Sequence, residues 1–290
     1  MKLKLSLLSA VCLSLLAMPA MADEAQSETS STLNANLRRL GFEYSTTHVG
    51  HAKEYANSPV SQLSADSQSL IKGVFDFALE YNQENMRWNN ALFMEYGKTK
   101  LEPVDEPEET NENSDKILLS TNYAYKAWKY DTYNIGPMMV GEYQTEFTEN
   151  DDAPRMQVLR GKAGLALFEG NIIKDLYIVG VTEYDMTYSS DKVSKFAGEI
   201  GWRVQYDLRE GVQFSTDGYY RDYFSYSTYV GTDLEYDFNA TARMDVQLID
   251  NLAFGPYISY RRAQAREADV AGSNLQVGVA LTYKNLYKIK

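Results

Sequence analysis

His48 and His51 are the only histidines in this chain, and with Ser45 they are its most obvious candidates for chemistry. A His pair can bind a metal, and a Ser close to a His can be a nucleophile beside its base. The spacing argues against both. A separation of three suits neither one face of a strand nor a zinc-ligand pattern, and Ser45 and His48 have opposite parity. No G-x-S-x-G, H-E-x-x-H or phosphate-cradling glycine loop is present. The only cysteine, Cys12, lies in the apolar leader, so the rest of the chain has no thiol chemistry. The acidic connector from Glu102 to Asp115 lacks the glycine and terminal Glu of a calcium-binding loop and reads as a solvated segment. The sequence therefore offers no catalytic, metal or cofactor-binding constellation.

What remains is charge of both signs at regular intervals. Arg87, Glu95, Arg160, Lys162, Glu183 and Asp185 alternate with apolar residues, as do Glu199, Arg203, Asp217, Arg221, Arg243 and Asp245. In a strand, successive side chains point to opposite faces, so such segments have one greasy and one charged face. Phe196 to Asp207 is the clearest case. Phe196, Ile200, Trp202, Val204 and Tyr206 share one face, and Glu199, Arg203, Gln205 and Asp207 the other. The alternation recurs in about twelve segments of roughly 8–14 residues, the length needed to cross a bilayer at a tilt. Short links follow the even segments and longer, more polar links the odd ones, the pattern of an outer-membrane barrel with both ends in the periplasm. Between Tyr226 and Leu248 the alternation is unbroken, which points to a strand that projects beyond the membrane.

The expected fold is all-β: a single transmembrane antiparallel barrel of about twelve strands. Composition agrees. Tyr is abundant, with 23 among 290 residues against 3 Trp. A ring with a polar tip suits a membrane–water boundary. The formal charge of −12 leaves no footprint for nucleic acid.

Three regions are expected. Residues 1–22 read as a signal peptide: Lys2 and Lys4, then an apolar run, then Ala20-Met21-Ala22. Mass analysis of the mature protein should find Asp23 as its first residue; a lipid-bearing start at Cys12 would refute this. Residues 23–39 read as a flexible periplasmic lead-in, and 40–290 as the barrel. Expected partners are outer-membrane lipid and the barrel-assembly machinery; the oligomeric state is open.

Gln276-Val277-Gly278-Val279-Ala280-Leu281-Thr282-Tyr283 resembles the assembly signal of outer-membrane proteins, in Gln276, Gly278, Leu281 and Tyr283. Here Asn285 to Lys290 follows it. A wider resemblance rests on Trp88 to Glu95, Ser114-Asp115-Lys116-Ile117, Tyr123-Ala124-Tyr125-Lys126, and the turns Tyr206 to Gly211 and Leu248 to Leu252. These resemble uncharacterised barrels of the salt-induced outer-membrane protein kind. The resemblance implies fold and location, and no activity.

Three classes of function fit: a small weakly selective pore or structural envelope protein, an outer-membrane enzyme acting on lipid or peptide, and a surface attachment protein. Mixed inward charge favours the first. A selective channel uses a ring of one sign at a constriction, whereas alternating signs cancel by pairing. Arg160 and Lys162 are expected to face Glu183 and Asp185.

Overall fold

The computed structural model describes residues 31–55, 58, 60–64, 68–101, 109–149 and 154–289. The leader and its cleavage site lie outside them. The wall is built from β1 (Thr32–Gly50), β2 (Gln68–Asn82), β3 (Met86–Leu101), β4 (Glu109–Tyr125, resuming as Trp128–Tyr130), β5 (Tyr133–Thr145) and β6 (Gln157–Phe168). It continues with β7 (Ile173–Asp185), β8 (Val193–Arg209), β9 (Val212–Tyr226), β10 (Leu234–Ile249), β11 (Leu252–Ala265) and β12 (Gly272–Lys288). Each strand pairs antiparallel with its sequence neighbours. β1 pairs with both β2 and β12, which closes a barrel of twelve strands and leaves no free edge. No helix among the described residues is long and apolar enough to cross a membrane.

β4 counts as one strand because both of its parts pair with β5. The break is a bulge at Lys126–Ala127, where Ala127 N–H lies 3.1 Å from both Tyr125 O and Ile135 O. Opposite the bulge stands Gly136, where a Cβ would come within 1.8 Å of Tyr125 O, so only glycine fits.

One end of the barrel carries the tight turns: 83–85, 131–132, 169–172, 210–211 and 250–251. Left-handed residues make four of them, at Asp131, Glu169, Gly211 and Asn251. Glu169 is the unusual one. Its carboxylate is held by Lys126 at 2.9 Å and Asn134 Nδ2 at 2.8 Å, contacts that offset the backbone cost. The longer loops lie at the other end, as the connector lengths predict.

The exterior is apolar. Met139, Ile178, Ile200, Ile258 and Val277 are exposed at mid-strand. Tyr123, Tyr125, Trp128, Tyr206 and Tyr287 ring the turn end, and Tyr44, Tyr184, Phe196, Tyr220 and Phe224 the loop end. An aliphatic band between two aromatic girdles is the surface of a transmembrane barrel.

The structure differs from the sequence reading at two places: the link 227–233 interrupts the alternation read from Tyr226 to Leu248, so β10 begins only at Leu234, and the wall starts before residue 40. β1 begins at Thr32, so residues 32–39 belong to the wall and are not a lead-in. A register shift between Leu37 and Leu40 accounts for the misreading. It turns both Arg38 and Arg39 inward, to Glu80 at 2.8 Å and Glu43 at 3.1 Å, and two adjacent charges on one face break period-two alternation. At the other terminus, β12 runs past Tyr283, and Asn285 to Lys288 pair with residues 34–37.

Candidate functional site: the barrel lumen

The alternation that makes the outside apolar sends the charges inward, and there they pair. Glu199 on β8 is 2% exposed. It accepts from Lys162 at 3.0 Å, from Arg221 Nε at 2.7 Å and from the Tyr177 hydroxyl at 2.8 Å. Arg160 reaches Glu183 at 2.5 Å, and Lys195 bridges Glu183 at 3.2 Å and Asp185 at 3.6 Å. Arg160 thus meets its expected partner. Lys162 does not meet Asp185, because it extends sideways to Glu142 at 2.9 Å as well as to Glu199.

A second hub lies on the far wall. Glu43, on β1, is held by Arg243 at 2.7 Å, Arg39 at 3.1 Å and Lys72 at 3.3 Å. Lys72 also binds Glu95 at 3.2 Å, and Asp245 binds Lys284 at 2.6 Å. A third contact spans the lumen. Arg87 on β3 binds Asp175 on β7 at 2.7 Å, a third of the way round the wall, and Arg203 holds the other carboxylate oxygen. Arg87 lies over the buried ring of Phe168, 4.7 Å from its centroid. Removing one partner of such a pair leaves an uncompensated charge, which fixes the ladder in one arrangement. Sequence reasoning missed Glu43, Lys72 and Asp175; all three have inward parity, the signal that identified the others.

Asp217 points inward from β9 yet is exposed, so solvent-sized space lies beside it. At the turn end a cavity of about 430 Å³ is lined by Asp207, Gln213, Asp245, Gln247 and Lys284, among others. The loop end is filled instead. The first loop carries α1 (Ser61–Ser64) and folds into the mouth, where Tyr55 and Leu63 are buried. The Tyr55 hydroxyl donates to the carbonyls of Val270 (2.9 Å) and Ala263 (3.1 Å), and accepts from Ala265 N–H at 3.0 Å. Asn274 Nδ2 donates to Gln62 O at 2.6 Å, and Arg261 to Gln62 Oε1 at 3.3 Å. Alternation could not show that this polar link turns inward, because its anchors are isolated residues.

The remaining sequence candidates stay apart. Ser45 is buried inside the wall, whereas His48 is exposed on the outside and His51 in the loop. Among the described residues no three His, Cys, Asp or Glu side chains are grouped to hold a metal. Asp115 accepts the backbone N–H groups of Phe147 and Thr148 at 2.6 and 2.9 Å; residues 102–108 lie outside the described residues. In the assembly-signal segment Gln276 is buried and faces inward, Leu281 and Tyr283 face outward, and Gly278 packs under Tyr44 O.

A family described as "Protein of unknown function (DUF3078)" matches residues 62–150, less than a third of the chain. No curated protein matches. Among solved structures, an outer-membrane channel from Pseudomonas putida F1 aligns over 93% of this chain and 100% of its own, with 9% identity and a TM-score of 0.45. The outer-membrane channel DcaP of Acinetobacter baumannii aligns over 91% and 99%, with 7% identity and a TM-score of 0.43. Outer-membrane phospholipase A from Escherichia coli aligns over 84% and 89%, with 10% identity and a TM-score of 0.40. Likeness at this level carries over neither solute nor chemistry.

Proposed function

We propose that the chain is an outer-membrane β-barrel whose lumen is a narrow, weakly selective path for small solutes, with both termini periplasmic and the first loop as a cap at the outer mouth. The observation that carries this reading is a closed wall around matched ionic charge, open to solvent-sized space beside Asp217 and hollow at the turn end. A purely structural barrel has no need of accessible charge within, whereas a path for polar solutes does. The apolar band and its girdles support a bilayer location. Kinship with the salt-induced proteins rests on the residue patterns described above. An enzymatic reading lacks a gathered nucleophile and base among the described residues.

Conductance of refolded protein in planar bilayers tests this. The wild type should give small, weakly selective, infrequent openings. Tyr55→Phe keeps the ring and removes the hydroxyl that ties the cap to β11 and the loop after it. An unmet buried group costs about 1–3 kcal/mol, so open probability should rise roughly tenfold. Absence of current in both proteins, with the heat-dependent gel shift of an intact barrel preserved, would overturn the pore reading.

A further inference from the structure

Nearly every inward charge in the strand-lined lumen is committed to an ion pair, so the few that are not determine what a solute meets. Among the described residues three inward charged side chains have neither an ion pair nor a hydrogen bond: Lys116 on β4, Asp76 on β2 and Asp217 on β9. Lys116 rests against the Phe93 ring, 5.6 Å from its centroid, and like Asp76 it is only half-buried. β2 and β9 lie on nearly opposite sides of the ring, so Asp76 and Asp217 face each other across it.

The two signs occupy different levels. Lys116 stands opposite Glu95 on β3, and Glu95 opposite Val74 on β2, so along the pairing Lys116 lies nearer the loop end than Asp76. Asp217 stands opposite Arg203, with Arg243 two positions away opposite Ser215, and Asp76 stands opposite Arg39. Arg243 lies beside Asp245, a wall residue of the turn-end cavity, which places the two carboxylates near that end. The three arginines are already engaged, Arg39 and Arg243 by Glu43 and Arg203 by Asp175.

We infer that the lumen takes small zwitterions, with their carboxylate towards Lys116 and their cationic group towards Asp76 and Asp217. This rests on the pore reading and adds the solute class to it. A neutral molecule gains nothing from these charges. A purely anionic or cationic one is attracted at one level and repelled at the other, because opposite charges lower the energy of a bound ion only where its own sign is complementary.

The test is entry of ribose, norleucine, lysine and glutamate into proteoliposomes holding the whole barrel, in the wild type and with Tyr55→Phe. Norleucine should enter at least threefold faster than ribose, and faster than lysine or glutamate. Lys116→Met, and Asp76→Asn combined with Asp217→Asn, should each bring the norleucine-to-ribose ratio towards one. None of the three side chains anchors an ion pair, and an intact heat shift would verify assembly. Ribose entering as fast as norleucine, or an unchanged ratio in both variants, would overturn the zwitterion inference and leave the pore standing. Failure of every solute to enter, in both backgrounds, would remove the pore reading and this inference together.

Discussion

Ile200→Arg should prevent most of the protein from reaching a heat-shifted, folded form. Ile200 lies mid-strand on β8 and is 48% exposed on the outer face, among the aliphatic residues between the girdles. An arginine near the bilayer midplane costs roughly 2–4 kcal/mol, a large part of the stability of a domain. Trp202→Asp, next on the same face, should act in the same direction. Gln205→Ala, on the inner face and half-buried, should be tolerated. Urea unfolding in lipid vesicles, with the fraction of heat-shifted protein, measures all three. Normal assembly of Ile200→Arg would mean that this part of β8 does not face lipid.

Glu199→Gln should be as damaging, by a different route. Parity alone puts Glu199 beside water or adaptable polar neighbours and makes the substitution look mild. The structure corrects that reading, because the carboxylate is enclosed and holds Lys162, Arg221 and Tyr177. Replacing it leaves two buried cations with less compensation, and breaking a buried pair from one side costs about 3–5 kcal/mol. Lys162→Met combined with Glu199→Gln should cost less than the two single changes added together, since the second change removes one of the stranded charges. Lys162 retains Glu142, so recovery should be partial. Urea midpoints would show this, and salt-gradient reversal potentials of Glu199→Gln should move towards anions. Strict additivity would indicate that the pair is screened by water.

The sequence by itself determined the wall. Apolar residues at every second position, segments long enough to cross a bilayer, and short links alternating with long ones are local properties, and they set which face of each strand meets lipid. Phe196 to Asp207 could be assigned residue by residue because a strand's two faces follow from its geometry alone. The same rule failed at Arg38 and Arg39, where one extra residue turns two neighbours to the same side, a shift visible only once Leu37 and Leu40 are paired with their partners. The contents of the lumen were decided by tertiary structure. Parity said that Arg87, Lys162 and Glu199 point inward, but not that Arg87 crosses to Asp175 or that Lys162 passes over Asp185 for Glu142 and Glu199. Those contacts depend on strand stagger and on how far each side chain reaches across a closed ring. The inward fold of the first loop was hidden for a related reason: Tyr55 and Leu63 belong to no period, and their burial arises only when β1, β11 and β12 form the mouth that receives them.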